Sequence, residues 1–219
     1  MSKRVFSFWQ ANGLSLVLSG IFLACLAGQF LAGHRTWNEQ LREHGRAPVT
    51  LGVYASSGHF LGAMFENWES EFLQMGMYVL LTVWLRQRGS AESRPLPGEP
   101  EEERIDAGPK PWPVRVGGWW RALYGVSLST ALLTLFALSW GGHAWGSWHH
   151  AIDEQRLKAL PPPGFWEHVG SAQFWFESLQ NWQSEFLAVL ALVLLSIVLR
   201  QDKSPESKPL EAPHAQTGG

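Results

Sequence analysis

A heptapeptide occurs twice in this chain, each time directly before a long apolar run. It reads NWESEFL from Asn67 and NWQSEFL from Asn181, so six of its seven positions agree. Each apolar run carries no formal charge and ends in the same Leu-Arg-Gln triplet, and the second copy follows the first by 114 residues. Runs of this length suit helices that cross a membrane. The repeat therefore predicts a duplicated, helical membrane protein.

Four segments are apolar enough to cross a hydrocarbon core, which takes about 20 residues of helix. The first is Leu14 to Leu31, and the second lies within a helix predicted from Ser57 to Arg86. The third is Ala122 to Gly142, and the fourth is a helix that begins at Ser171 and ends at Arg200. Each half of the chain holds two crossings, which makes the halves parallel repeats. The predicted fold class is all-α, an integral membrane four-helix bundle made of two tandem duplicated helical hairpins.

The first crossing has a competing interpretation as a cleaved signal peptide. Lys3 and Arg4 precede it, and Phe22 to Cys25 resembles a lipoprotein cleavage box. However, the Gly-x-Ser-Leu pattern that opens this run recurs at Gly125, in mid-chain, where no signal peptidase acts. We therefore expect a retained helix. Cys25 is the single cysteine, which excludes an intramolecular disulfide and predicts a buried, inert thiol.

Composition agrees with a membrane protein. The chain has 13 Trp residues, and Trp concentrates where apolar rings meet lipid headgroups. Its formal net charge of -2 gives no basis for binding nucleic acid. The lipid bilayer is therefore the expected partner, and the oligomeric state is open. Trp68 and Trp182, in the two heptapeptides, are expected at the membrane interface.

Polar segments separate the hydrophobic ones. Residues 86–118 hold six prolines and the run Glu101 to Glu103, which predicts little fixed structure. The predicted organisation is a first transmembrane hairpin repeat, a Pro/Glu-rich cytoplasmic linker, a second hairpin repeat and a disordered tail. These four parts cover residues 1–96, 97–118, 119–210 and 211–219.

Basic residues indicate the orientation, because cytoplasmic loops carry an excess of Lys and Arg. Twelve of the seventeen Lys and Arg lie in the two termini and in the central linker with its junction to the third crossing. Both termini should therefore be cytoplasmic, in a plasma (inner) membrane.

The repeat continues beyond the membrane. LRQRGSAESRPL from Leu85 aligns without gaps to LRQDKSPESKPL from Leu199, with eight identities in twelve positions. Recent duplication alone would explain this match. The alternative is a paired motif that docks a cytoplasmic protein or lipid headgroups.

The heptapeptides, the Leu-Arg-Gln triplets and the Ser-x-Glu-Ser-basic-Pro segments together resemble a bacterial family of unknown function, DUF6766. The resemblance covers nearly the whole chain and includes Pro111-Trp112-Pro113 of the linker. It implies a four-helix membrane protein. It carries over no activity, cofactor or site residue.

Glu71 and Glu185 are the main candidates for chemistry. Each lies about 21 Å along its helix from the Leu of the Leu-Arg-Gln triplet, inside a core of about 30 Å. One interpretation places both carboxylates among headgroups, beside interfacial Trp residues. The other places them inside the bundle, hydrogen-bonded to Asn67 and Asn181, where they bind a cation or carry a proton.

A second pattern has the spacing of metal ligands. His149 with Asp153, and His150 with Glu154, are i,i+4 pairs on one face of a helix, and His168 follows the proline turn. Such spacing can ligate a divalent metal, while a solvated external helix is the alternative.

No cofactor is expected. His34 and His143 lie near the outer ends of the first and third crossings, so neither sits at mid-membrane where it would ligate a haem. The chain has no Gly-rich phosphate loop, no Gly-x-Ser-x-Gly motif and no HExxH motif. Enzyme chemistry therefore has no positive support.

Two hypotheses about function follow. The first is a multi-pass membrane protein that binds or passes a small cation or proton at the paired glutamates. The second is a non-catalytic scaffold that binds a cytoplasmic partner through the repeated juxtamembrane tails. The first half is also the more acidic, since its Glu66 and Glu69 correspond to Gln180 and Gln183. That difference indicates either an asymmetric cation path or neutral drift on a solvated turn.

Cysteine labelling tests the predicted topology. In a Cys25→Ser background, Glu102→Cys and Pro162→Cys should react with a membrane-impermeant reagent from opposite sides, because the linker is predicted to be cytoplasmic and the proline turn external. Gly219→Cys is the control and should label from the same side as position 102. Labelling of positions 102 and 162 from one side would contradict the four crossings.

Overall fold

A computed structural model describes residues 8–99, 105 and 107–218, without the side chain of Gln10. The described residues form helices and no strand, which confirms the predicted all-α class. In chain order the helices are α1 (Phe8–Glu43), α2 (Leu51–Tyr54), α3 (Gly58–Trp84), α4 (Trp112–Val116), α5 (Gly118–Gly125), α6 (Ser127–Leu157), α7 (Phe165–Val169) and α8 (Ala172–Val198).

Two of the described helices, α1 and α8, are long and apolar enough to cross a membrane. The consecutive helices α5 and α6 would supply a third span if the bent pair forms one. The most apolar stretch of α1 has no buried residue, and Leu14 is 77% exposed. An apolar surface of this length suits the hydrocarbon core of a membrane. Cys25, on the same stretch, is exposed, so the expectation of a buried thiol is wrong.

The predicted third crossing is not one continuous helix. The chain bends by 58° between α5 and α6, at Val126. Gly125 is a weak helix former, and the hydroxyls of Ser127 and Ser129 donate to the carbonyls of Tyr124 and Val126. Such local hydrogen bonds give these carbonyls other partners, and they accompany the break beside Gly125.

Capping residues set the ends of the long helices. Ser57 Oγ accepts from Phe60 N before α3, and Ser171 Oγ accepts from Phe174 N at the start of α8. After α1, Gly45 adopts a φ of 68°. Arg46 N then donates back to Leu41 O, which is the Schellman pattern of a helix C-terminus. The starts predicted at Ser57 and Ser171 are confirmed.

The chain divides into two compact units. The first comprises Met1–Ala63 and Trp145–Phe165, and the second comprises Met64–Ala144 and Trp166–Gly219. Each unit therefore draws on both predicted repeats. The predicted organisation by successive repeats stays a prediction.

The core of the first unit is built from rings around the segment after α1. Trp37, Leu41 and Tyr54 are buried, with Phe30, Val49, Phe60 and Leu157 packed against them. The Asn38 side chain bonds both backbone groups of Val49. Its Oδ1 accepts from Val49 N at 2.7 Å, and its Nδ2 donates to Val49 O at 3.1 Å. The polar segment that follows α1 is thereby held on the core.

Glycines let two helices of the first unit approach closely. Gly58 and Gly62 on α3 face Gly146 and the following turn of α6. A Cβ at Gly146 would overlap the backbone of Gly62, and a Cβ at Gly58 would overlap the backbone of His150. Small residues at such a spacing are typical of helix contacts in membranes.

In the second unit α3, α6 and α8 pack through rings and small residues. Phe136 of α6 lies edge-on to Trp182 of α8, with ring centroids 5.9 Å apart. On α3, Gly76 faces Leu133, and Gln74 Nε2 donates to Glu185 O at 3.3 Å. These contacts bring the two heptapeptide helices into one unit.

The two repeated juxtamembrane segments fold in the same way. Arg86 Nη1 donates to Thr82 O, and Arg200 Nη1 donates to Ser196 O, at 3.0 and 3.1 Å. Basic side chains that bond the last carbonyls of a helix stabilise its C-terminus. The serine at the equivalent position of each segment also forms the same hydrogen bond. Ser93 Oγ accepts from Gln87 N, and Ser207 Oγ accepts from Gln201 N. The sequence repeat therefore extends to individual hydrogen bonds.

The two segments also contact each other. The Lys208 ammonium is 1% exposed and donates to the carbonyls of Gly89, His214 and Gln216. Thr217 Oγ1 accepts from Gly89 N at 3.0 Å. Gly89, Lys208 and Thr217 thus have definite partners. The predicted linker at 97–118 and the predicted disordered tail at 211–219 stay predictions. Backbone groups left at the helix ends require such partners.

Matched glutamates lie together at this contact. Burial raises the pKa of Glu92, the hydrogen bond that Tyr78 donates at 3.0 Å opposes this rise, and the charge of Glu206 adds to it. Glu206 is the counterpart of Glu92 in the second segment. The contact therefore pairs equivalent positions of the repeat.

Two alanine substitutions on α6 test the glycine contact. Gly146→Ala should lower the free energy of unfolding by about 1–3 kcal/mol, because its methyl group overlaps a backbone. Gly141→Ala is the matched control, since no atom lies within 4 Å of its Cβ position. It should raise the free energy of unfolding by up to about 1 kcal/mol through helix propensity. Equal effects on thermal melting would contradict the close approach.

Candidate functional site: a buried cluster of glutamates and histidine

An acid and a histidine form a fully buried pair in the second unit. Glu69 of α3 and His143 of α6 both have side chains that are 0% exposed. Glu69 Oε2 lies 3.0 Å from His143 Nδ1. Burial of ionisable groups is costly unless they are paired and hydrogen-bonded. This pair satisfies that condition.

The other oxygen of Glu69 is held by α8. Ser178 Oγ donates to Glu69 Oε1 at 2.9 Å, and Trp182 Nε1 donates to the same atom at 3.1 Å. An ionised carboxylate only accepts, so His143 Nδ1 is the donor toward Glu69. Glu69 thus links three helices and fixes the orientation of the imidazole.

The second ring nitrogen of His143 faces two more carboxylates. His143 Nε2 is buried and has no hydrogen-bond partner among the described residues, while Glu177 Oε2 lies 3.8 Å away. Glu66, His143 and Glu177 each offer one ligand atom, and these atoms lie within 4.8 Å of one another. We call Glu66, Glu69, His143 and Glu177 the Glu–His cluster.

Amide side chains hold the outer oxygens of the cluster. Asn181 Nδ2 donates to Glu66 Oε1 at 2.6 Å, and Gln173 Nε2 donates to Glu177 Oε1 at 2.7 Å. The second oxygen of Glu177, Oε2, thus remains toward His143. Glu66 and Glu177 are half-buried, so the cluster is closed at His143 and open at these carboxylates.

Aromatic rings cover the histidine. Phe174 is fully buried and stacks on the His143 ring, with centroids 4.8 Å apart. Trp140 lies edge-on to Phe174 at 5.8 Å. These rings exclude water from the imidazole and strengthen its electrostatic interactions.

The structure places the predicted pair outside this cluster. Glu71 is exposed on α3, and Glu185 is half-buried on α8. Asn67 is exposed, and Asn181 bonds Glu66 and not Glu185 as expected. The reason is helical geometry, since residues two apart, such as Glu69 and Glu71, point to opposite sides. A cation site at Glu71 and Glu185 stays a prediction.

The Trp residues of the heptapeptides have different surroundings. Trp182 is half-buried and donates to Glu69. Trp68 is half-buried and lies edge-on to Phe65, with ring centroids 5.6 Å apart. Their place at a membrane interface stays a prediction.

The histidines of α6 after Gly146 lie in the first unit. His149 lies against the rings of Trp145 and Trp148 at 4.6 and 4.9 Å. His150 Nε2 lies 3.8 Å from Glu154. The acids also pair with bases, since Arg156 contacts Asp153 and Lys158 contacts Glu154. His168 belongs to the second unit, edge-on to Phe174. A metal site at these residues stays a prediction.

Sequence reasoning did not assemble the Glu–His cluster. It noted Glu66 and Glu69 as acidic positions that differ between the copies, and it considered His143 as a haem ligand. It did not single out Glu177 or Ser178. One available signal was His143 itself, an ionisable side chain at the end of an apolar helix. The other was the i,i+3 spacing of Glu66 and Glu69, which puts both on one helix face.

Comparison with known proteins identifies a family. The model of the family described as "Domain of unknown function (DUF6766)" matches residues 5–219. Neither the curated proteins nor the solved structures give a match. The expected family resemblance is thereby confirmed, and the match supplies no activity.

Two serines on α8 test the role of Glu69. Ser178→Ala should lower the free energy of unfolding by about 1–3 kcal/mol, because it removes a donor from a buried carboxylate. Ser184 is exposed and donates to Asn181 O within its own helix. Ser184→Ala should therefore change stability by less than about 0.5 kcal/mol. Thermal or denaturant unfolding measures both, and equal effects would contradict a buried Glu69.

Proposed function

We propose that this chain, which belongs to the DUF6766 family, is an integral membrane protein that crosses the membrane four times and binds a small cation at the Glu–His cluster. The observation that carries the proposal is the His143 side chain. It is 0% exposed, with one ring nitrogen on Glu69 and the other toward Glu66 and Glu177. Ionisable side chains inside apolar helices are costly and mark ion or substrate sites.

The charges around His143 require a positive charge at the centre of the cluster. When the imidazole carries a proton on Nδ1 alone, the centre brings together only acceptors, namely two carboxylate oxygens and the Nε2 lone pair. Acceptors at such distances repel one another unless a positive charge lies between them. A bound cation or a second proton on the imidazole supplies that charge.

The fourth crossing is α3. It has 27 residues, long enough to span the hydrocarbon core, although it carries Glu66, Glu69 and Glu71. Glu66 and Glu69 bond residues of α8, which supports a position inside the bundle and not toward lipid. The matched Arg86 and Arg200 caps support a tandem duplication and equal orientation of α3 and α8.

The partner-binding hypothesis has less support. Lys208 and Ser207 of the second juxtamembrane segment are used in contacts within the chain. A cytoplasmic partner would have to bind other residues of that segment or displace these contacts. Binding of a cytoplasmic protein there stays a prediction.

A cation panel tests the proposal. The melting temperature of the detergent-solubilised protein is measured with Na⁺, K⁺, Mg²⁺, Ca²⁺, Mn²⁺ and Zn²⁺. A cation that binds at 100 times its Kd should stabilise the wild type by about 2.7 kcal/mol. Glu177→Gln should abolish the stabilisation, because it removes one charge from the centre, while Glu71→Gln should retain it.

Two outcomes would contradict this proposal. One is a wild type that no cation of the panel stabilises. The other is a stabilisation that survives Glu177→Gln and is lost in Glu71→Gln or Glu185→Gln, which would move the site to the predicted pair.

A further inference from the structure

We infer that the Glu–His cluster is a binding site for a divalent transition-metal ion, with Zn²⁺ as the reference ion. Its ligands are His143 Nε2 and one carboxylate oxygen each from Glu66 and Glu177. Glu69 is not a ligand but positions His143. The inference rests on the proposed function and names the class of cation.

The distances fit one small ion. Zn²⁺ lies about 2.0–2.2 Å from nitrogen and oxygen ligands, so that tetrahedral ligand atoms are about 3.4 Å apart. His143 Nε2 and Glu177 Oε2 are 3.8 Å apart, and all three ligand atoms lie within 4.8 Å of one another. Closing the remaining gap requires rotation of the half-buried Glu66 and Glu177 side chains.

An independent observation points to a ligand at this place. His143 Nε2 is fully buried, and no described residue forms a hydrogen bond with it. Buried polar atoms in proteins are nearly always satisfied, so an orphaned imidazole nitrogen requires a partner. The atom lies 3.8 Å from Glu177 Oε2, and Glu66 offers a further ligand atom nearby, so a cation bound there would be its partner.

The surroundings are those of a metal-bound histidine. A histidine that ligates a metal through one nitrogen usually donates its other N–H to a carboxylate, which fixes the tautomer and makes the ligand more basic. Glu69 has this position at 3.0 Å, and Ser178 and Trp182 hold it there. Asn181 and Gln173 orient the ligand carboxylates in the same manner.

The donor set selects the class of ion. Imidazole nitrogen suits Zn²⁺, Fe²⁺, Co²⁺ and related ions, whereas Ca²⁺ takes six to eight oxygen ligands and Mg²⁺ is held by oxygens and water. The two ligand carboxylates carry two negative charges, which a divalent ion neutralises. Three protein ligands leave a coordination position for water or an exchanging ligand, on the open side of Glu66 and Glu177.

Metal titration of the full-length protein in detergent tests the inference. After removal of metal by a chelator, Zn²⁺ binding is measured by calorimetry, and Co²⁺ reports the coordination through its visible absorption. Wild type should bind one equivalent. Glu66→Gln, His143→Gln and Glu177→Gln should each lose that equivalent, while Glu39→Gln, at an exposed position of α1, should bind as wild type.

Glu69→Gln separates positioning from ligation. It should keep one equivalent and shift the Co²⁺ spectrum, and its affinity should fall by about 10–100-fold because the support of His143 is weakened. Size-exclusion chromatography and circular dichroism confirm that each variant is folded. A variant that fails this check is replaced by the Ala or Asn substitution at the same position.

The outcomes separate the inference from the proposed function. Absence of stoichiometric Zn²⁺ and Co²⁺ binding, or full binding by folded His143→Gln, overturns the inference. If Mg²⁺ or Na⁺ still stabilises the wild type and Glu177→Gln loses that effect, the proposed cation binding stands and only the inference of a transition-metal site fails. If no cation of any class binds, both fail.

Discussion

The hydrogen bond between Glu69 and His143 is the constraint on which the second unit depends. Both side chains are completely buried, so loss of either partner would strand a polar group at a cost of about 3–5 kcal/mol. Ser178 and Trp182 must then lie where they donate to the same carboxylate. These requirements set the register of α3, α6 and α8. They also leave one imidazole nitrogen directed toward two carboxylates, which is the origin of the proposed cation site.

Much of the fold follows from local sequence. Ser57 and Ser171 begin helices because their hydroxyls cap free N–H groups, and Gly45 ends one because it accepts a positive φ. The bend at Val126 was not predicted, since hydropathy does not report the serine hydroxyls that compete for its carbonyls. The contacts of Gly89 were not predicted, because its partners Lys208 and Thr217 lie more than a hundred residues away.

The sequence predicts the candidate site only in part. The repeated heptapeptide directed attention to Glu71 and Glu185, which are identical in both copies. The buried glutamate of α3 is instead Glu69, two positions earlier, and a two-residue step turns about 200° around a helix. The replacement of Glu in the first copy by Gln in the second indicates the cluster more directly. Gln180 and Gln183 are exposed, whereas Glu66 and Glu69 belong to the cluster. Only the register between helices decides which acids meet His143.

The protonation state of His143 tests the central claim most directly. In ¹⁵N-histidine-labelled protein in nanodiscs, the His143 signals are identified by their loss in His143→Gln. The account predicts that, without metal, both ring nitrogens carry protons, because the second proton supplies the positive charge beside the carboxylates, and that one equivalent of Zn²⁺ displaces the Nε2 proton and shifts the Nε2 resonance. An imidazolium protonated at both nitrogens and unchanged by Zn²⁺ would show that the cluster is a structural ion network, and would contradict the account.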